Sequence, residues 1–430
     1  MILFWFRRDL QIVDNAGFFH ALSSEDSVLP AFVFDETILK KLPENDARVG
    51  FIHRELHTLN DTFKKYNSKL LVTHGNPADC ITSWCNEYNI TAVYTNEDYE
   101  PYARERDDTI KNLLEAQGIA FKTFKDHVLF GPDQVLKKDG TPYKVYTPYS
   151  RVWIAQMEAQ GIPNYPAEKH LDKLHTMELP PLPTLETIGF KACHNPIPKP
   201  NNSLELMNAY DATRNFPALD STSRLGIYLR FGVVSVRELV RKARKSTLPT
   251  FLKELVWREF FMQILWHYPH TTQSSFKPQY DRILWKNNEE EFEKWCSGNT
   301  GYPLVDAGIR ELNQTGFMHN RVRMLVGSFL CKHLLIDWRW GEAYFAEKLL
   351  DYEQASNVGN WQWVAGCGVD AAPYFRVFNP TEQVKKFDKE HQYIKKWVPE
   401  YQSPDYPAPM VDHKEARIRC LNTYKEGLNS

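Results

Sequence analysis

Five short apolar segments set the frame of the chain. MILFWF opens it, VLPAFVFD follows at 28–35, KLLVTHG at 69–75, TAVYTNE at 91–97 and FKTFKDHVLF at 121–130. Their length and β-branched or aromatic content mark them as strands. The stretches 46–66, 77–88 and 101–117 carry charge at helical spacing, and Pro77 suits a first helical turn. Strands that alternate with helices must run parallel, because each helix returns the chain to the same edge. The expectation is a doubly wound parallel-sheet α/β domain over 1–128. Neither a phosphate loop nor G-x-G-x-x-G follows any of these strands, so a standard dinucleotide site at the sheet edge is not expected.

The pattern then changes twice. GPDQVLKKDGTPYKVYTPYS, PPLP and NPIPKP fill 129–200 with turn residues, around one short helix expected at 148–159. This stretch reads as a connector. From 201 to 430 helical periodicity dominates, as in FLKELVWREFFMQILWHY, NRVRMLVGSFLCKHLLI and WGEAYFAEKLLD. Gly316, Gly341 and Asn379–Pro380 are read as helix ends. The expected order is therefore α/β, connector, then an all-helical domain.

Composition narrows the class. With 43% hydrophobic and 25% charged residues the chain can bury a large core, and its apolar runs fall short of a membrane span. The start lacks signal-peptide order, so a cytoplasmic protein is expected. Seven cysteines contain no CxxC pair and read as reduced thiols, with no metal site. Net charge is −2, but residues from 192 onward carry +4 and those before them −6. Any nucleic-acid contact thus belongs to the second half. Nine of the twelve tryptophans lie within 257–397.

Four segments of the helical half, WREF, GYPLVDAGIRELNQTGFMHNRVRM, LIDWRWGEAYF and NWQWVAGCGVDAAPYFRVFNP, set Asn, Arg, Asp and Trp close together. In HNRVRM the helix period puts Asn320, Arg323 and Met324 on one face and turns Arg321 away. Trp361 and Trp363, two residues apart, face different ways. These segments, the N-terminal WFRRDL and the whole domain order resemble the photolyase/cryptochrome family, and within it class I cyclobutane pyrimidine dimer photolyases. The resemblance spans essentially the full chain.

The resemblance implies FAD in the helical domain. Its cofactor residues correspond here to Tyr210, Thr222, Ser223, Arg224, Leu225, Gly226, Arg258, Asn320, Arg323, Asp351, Glu353 and Asn357. Gly226 stands where the family often has Ser, and Glu353 where the compared group usually has Asp. Arg323 would pair with Asp351 beside the isoalloxazine ring, and Asn357 would face its N5. The lesion pocket would comprise Glu254, Trp257, Asn320, Met324 and Trp363, with Glu254 bonding the pyrimidines of a base pair flipped between indole walls. Trp361, Trp338 and Trp285 would relay electrons to the flavin, leaving Trp266, Trp295, Trp340 and Trp397 to packing. Arg214, Arg321, Arg376 and Gln383 would contact phosphates of DNA. HNRVRM lacks the paired histidines of (6-4) photoproduct enzymes, and His319 is read as packing or a rim hydrogen bond.

The activity implied is light-driven splitting of pyrimidine dimers by reduced FAD, in a monomer without an obligate protein partner. A photoreceptor without repair activity is the alternative; such members often carry a long C-terminal extension, and here 410–430 follow the proline-rich segment. An antenna pigment in the N-terminal domain is left open. One folate-binding form has Asn-Glu where this chain has Tyr102 and Ala103, so a folate site is not expected there, and the nearby Asn96–Glu97 is not taken as its replacement.

Overall fold

The computed structural model describes residues 1–193 and 196–429; Asn195, which opens the NPIPKP breaker, lies outside them. The chain forms two compact units. The first contains 1–136, 151–200 and 225–246, and the second 137–150, 201–224 and 247–430.

The first unit is built on five parallel strands, β1 (Ile2–Phe6), β2 (Val28–Asp35), β3 (Leu71–Gly75), β4 (Ala92–Asn96) and β5 (Ala120–Phe124). Their order is β3-β2-β1-β4-β5. Every residue of β1 and β2 is buried, which is why both read as unbroken apolar runs rather than alternating ones. Pro30 is tolerated inside β2 because the β2–β3 ladder begins one residue later, at Ala31. Helices Ala47–Lys64, Pro77–Glu87 and Pro101–Glu115 fall within the stretches read as helical. Ala16–Leu22 is a further helix, capped by the Asn15 side chain.

The chain changes sheet direction between β1 and β4, the point at which open α/β sheets commonly bind ligands. Here the polar groups at that point bond to one another. Arg7 pairs with Asp107 at 2.6 Å and also donates to the Asn96 carbonyl, while Arg8 reaches Asp98 and Glu100. The Asn96 amide donates to Asp9 and Asn15, and its oxygen accepts from the Gly17 N–H at 2.8 Å. Burial pushes the Asp9 carboxyl up to about 6. Asn96 therefore spends its side chain inside the unit. Tyr102 donates to Asp35.

Two stretches depart from the expected boundaries. Residues 225–246, expected in the helical domain, belong to the first unit. The cause is the helix Val236–Ala243, whose Arg237 is buried and pairs with Asp14 at 3.0 Å and Asp126 at 2.7 Å. Gly232 closes the same seam at φ +57°, where a Cβ would overlap the Arg8 carbonyl. The stretch 129–200 is not a free connector either. The His175 N–H donates to the Val28 carbonyl at 2.8 Å, whereas 137–150 joins the second unit.

The second unit is helical. Its core gathers Trp295, Phe329, Trp338, Phe345 and Trp361 among thirty-odd buried side chains. Four helices position the site: Thr250–His267, Asn320–Ser328, Trp338–Lys348 and Gln354–Ala365. A π-helical turn, Phe329–His333, extends the second of them. Gly316 ends the helix Pro303–Thr315 in the left-handed region, as its position in the sequence suggests. Gly341 instead lies inside Trp338–Lys348, where its missing side chain makes room for the Trp361 indole. Among the described residues no helix is long and apolar enough to cross a membrane, and no His/Cys/Asp/Glu group could hold a metal ion.

Candidate functional site

A cavity of about 600 Å³, counting its open mouth, lies within the second unit. Asn320, Arg323, Asp351, Glu353 and Asn357 supply its polar wall, and Met324, Trp361 and Trp363 its apolar one. This mixture of convergent polar groups and flat apolar surface suits a cofactor or small-molecule site. Asn320, Arg323 and Met324 reach it because the helix starts at Asn320 and presents i, i+3 and i+4 together. His319 caps that helix, accepting the Arg321 N–H on Nδ1 at 3.2 Å. Burial, with Arg224, Arg323 and Arg321 nearby, pulls its pKa down to about 4, so it is neutral at pH 7. That N-cap is the place of the histidine read as packing or a rim hydrogen bond.

Arg323 donates from one Nη to both Asp351 oxygens, at 2.9 and 3.1 Å, and from Nε to the Met318 carbonyl at 2.7 Å. The pair is mostly buried, with side-chain exposures of 25% and 19%, so it sets a fixed cation on the cavity wall. Glu353 is buried at the N-cap of Gln354–Ala365 and lines the cavity. Asn357, one turn on, gives its amide to the Glu342 carbonyl at 3.1 Å and carboxylate at 2.9 Å. Burial raises the Glu342 pKa. Glu342 sits fifteen residues away on another helix, and no spacing rule brings the two together from sequence.

The 222–224 run stands apart from the residues lining this cavity. The Thr222 hydroxyl is buried and has no hydrogen-bond partner among the described residues. Arg224 is held at φ +53°, uncommon for a non-glycine residue, with its guanidinium 3.8 Å from the centre of the Phe317 ring. The Ser223 carbonyl accepts from Asn201 at 2.8 Å. Tyr210 packs edge-on against Phe251, and burial pushes its phenol up to about 12. Arg258 is partly buried on Thr250–His267. Leu225 and Gly226, also expected among the cofactor residues, belong to the first unit.

The two indoles expected to face apart both line the same cavity, Trp361 buried and Trp363 partly exposed. Trp361 also packs 4.9 Å from Phe345 and 6.2 Å from Trp295, an indole read as packing alone. Trp338 is buried, with Arg339 over its ring at 4.7 Å. Trp285 is partly buried and meets Tyr424 edge-on at 5.8 Å.

Trp257 stacks flat on Tyr146, a residue the sequence reading did not single out. Glu254, one turn before Trp257, forms a very short ion pair with Arg214. The residues expected to serve base and phosphate thus hold one another. Arg321 donates to Asn215 at 2.5 Å and lies 4.4 Å from the Phe387 ring. Burial lowers its pKa, and the charges of Arg214 and Arg376 lower it further, so three guanidiniums share one region. Arg376 is exposed, and its carbonyl accepts from the fully buried Lys332 at 3.2 Å. Gln383 is partly buried on Pro380–Phe387.

Known proteins resemble both parts of the chain. The family described as DNA photolyase matches residues 2–169, and the FAD binding domain of DNA photolyase matches 251–405. The deoxyribodipyrimidine photo-lyase of Synechococcus sp. is 35% identical over 96% of this chain and 94% of its own length. The class III photolyase of Agrobacterium tumefaciens superposes with a TM-score of 0.87 at 31% identity, covering 100% of this chain and 98% of its own. The archaeal photolyase of Sulfolobus tokodaii, solved with two FAD molecules, gives 0.84 at 34% identity, with 99% of each chain covered. The chain belongs to the DNA photolyase family.

Proposed function

We propose that the chain repairs cyclobutane pyrimidine dimers in DNA, using light and FAD held in the second unit. Family membership along nearly the whole chain carries the reading. The residues fit the cofactor. An orphaned Thr222 hydroxyl beside Arg224 suits a diphosphate, and the Arg323–Asp351 pair with Asn357 suits a polar ring edge. Reduced FAD, when bound and excited, supplies the electron that opens the cyclobutane ring and takes it back afterwards.

The protein's own part is geometric and electrostatic. Arg323 fixes a positive charge on the cavity wall, which favours an anionic ring, and Asp351 keeps that guanidinium oriented. Asn357 presents its carbonyl oxygen to a ligand, since its amide nitrogen donates to Glu342. Met324 and Trp363 offer apolar surface that excludes water beside the lesion. Arg214, Arg321 and Arg376 anchor backbone phosphates, and Glu254 bonds the pyrimidine edge once freed from Arg214. Trp361, Trp338 and Trp285 would relay electrons from an external reductant to the bound flavin.

The reading extends to a monomer working in the cytoplasm. For the N-terminal antenna, the internal bonding of Asn96 supports a pigment other than one held by Asn96–Glu97. Repair of a thymine-dimer oligonucleotide by the reduced holoprotein, under blue light against a dark control, tests the function. Tight dark binding with no splitting in light would establish the photoreceptor alternative instead.

A further inference from the structure

We propose that Tyr146 is a positioning residue for lesion recognition, holding the Trp257 indole at the angle from which it meets a flipped pyrimidine pair. The inference rests on the reading of Trp257 as a wall of the lesion pocket. The two rings lie 3.6 Å apart, centre to centre, with their planes within 5°. Tyr146 is itself fixed at both ends. Its hydroxyl donates to the Lys253 carbonyl at 2.8 Å, one turn before Trp257 on the same helix. Its backbone N–H donates to Asp370 at 3.1 Å, and Asp370 takes a left-handed backbone, φ +45°, in the loop that leads to Arg376.

Tyr146 is 8% exposed, and its ring packs edge-on against Phe260 at 5.9 Å. Phe260 and Phe261 lie 5.6 and 5.5 Å from Trp257. Tyr146 also lies close to the Arg214–Glu254 pair: burial first, and then the Glu254 charge, raises its phenol pKa, while Arg214 lowers it. A phenol clamped at hydroxyl and backbone is therefore pressed flat on one indole face, beside the carboxylate assigned to the lesion. An indole on a helix otherwise rotates about two side-chain bonds, and a wall that must be ordered on binding weakens affinity. Tyr146 orders it beforehand.

The test measures dark binding of the full-length, FAD-loaded protein to oligonucleotides with and without one thymine dimer. The set comprises Tyr146→Leu, Tyr146→Phe, Trp257→Ala and the double variant. Tyr146→Leu is expected to weaken dimer binding by about three- to tenfold, the scale of one aromatic pair. Binding of undamaged DNA and FAD content should stay unchanged, and Tyr146→Phe, which keeps the ring and the Asp370 bond but loses the Lys253 bond, should bind dimers more tightly than Tyr146→Leu. In the Trp257→Ala background Tyr146→Leu should have no further effect, since its action runs through the indole. Equal loss on damaged and undamaged DNA, or an undiminished effect without Trp257, overturns the proposal. Tighter dimer binding by Tyr146→Leu also overturns it, because the phenol would then be occupying the place of a base. Full dimer affinity in Trp257→Ala sinks the lesion-wall reading, whereas full affinity in Tyr146→Leu alone sinks only the positioning role. If the leucine variant folds poorly, Tyr146→Met, flexible and without a flat ring, reads out the same difference.

Discussion

Asn357 donates its side-chain amide to Glu342, to the backbone carbonyl at 3.1 Å and to the carboxylate at 2.9 Å. From sequence, an asparagine at this position could donate or accept. The bonds to Glu342 engage the amide nitrogen and leave the amide oxygen as the group for a ligand N–H. Glu342→Leu should free the amide to rotate, so that reduced FAD in the holoprotein oxidises in air several-fold faster. FAD content should hold, because Glu342 itself does not line the cavity. Reoxidation followed by flavin absorbance checks this, and an unchanged rate would separate Glu342 from cofactor tuning.

The Arg323–Asp351 pair should decide cofactor retention. Hydrogen bonds to charged groups contribute about 1.5–3 kcal/mol each, and removing one partner leaves the other partly buried and alone. Arg323→Leu should weaken FAD binding by at least about tenfold. Asp351→Asn, which keeps the shape and one acceptor, should cost less. The ratio of flavin to protein absorbance after gel filtration reports both.

The parallel sheet was legible because runs such as VLPAFVFD are buried on both faces and leave no alternation to misread. The face of the Asn320 helix was legible for a similar reason, since 3.6-residue spacing is local. What escaped was every contact set by packing between helices. Gly341 looked like a helix end because glycine often is one, yet here the indole of a helix twenty residues on needs its space. Tyr146 lay in a turn-rich stretch read as connector, and nothing local marks a side chain whose partner is Trp257. Residues 225–246 carry a helical pattern that does not reveal which unit buries it; the buried Arg237 decides that through Asp14 and Asp126.

Gly341→Ala should be poorly tolerated. A Cβ there would overlap the Trp361 ring, and both sit in a dense core. Overpacking of this kind costs about 1–3 kcal/mol. Thermal unfolding should show the loss. Photoreduction of oxidised FAD should slow as well, since Trp361 must move to make room. A stable variant with unaltered photoreduction would argue that the ring relaxes freely.

Stability should rise with pH between about 4 and 6.5. His333 is fully buried, bonded to His413 at 2.9 Å, and burial drops its pKa to about 3; His319 falls to about 4. Both lie below the unfolded value near 6.5, so between these limits the unfolded chain binds more protons and acid favours it. Asp9 acts oppositely: raised to about 6, it makes the fold bind a proton that the unfolded chain loses above about 4. Burial raises Glu97, Asp306, Glu311 and Glu342 as well, which act as Asp9 does, and lowers His20, His57 and His413, which act with the two histidines. The trend expected here is the one in which the histidines dominate. Denaturant midpoints at pH 4.5, 5.5 and 7 should increase in that order, and His319→Asn, which keeps an N-cap acceptor, should flatten the trend.

Arg214 and Arg321 should differ in salt dependence although both are read as phosphate contacts. Each phosphate neutralised on duplex DNA steepens the fall of log K with log salt by about 0.9. Among the described residues the Arg321 guanidinium bonds to Asn215 and the Met324 sulfur and to no carboxylate, so Arg321→Ala should remove close to that amount on any DNA. Arg214 is already paired with Glu254, and a phosphate must compete for it. If Glu254 turns to a pyrimidine dimer, Arg214 is released to the backbone only when a lesion is present. Arg214→Ala should then reduce the salt slope on dimer-containing DNA more than on undamaged DNA. Equal reductions on the two would mean that the pair does not exchange partners and that Glu254 is not drawn to the lesion.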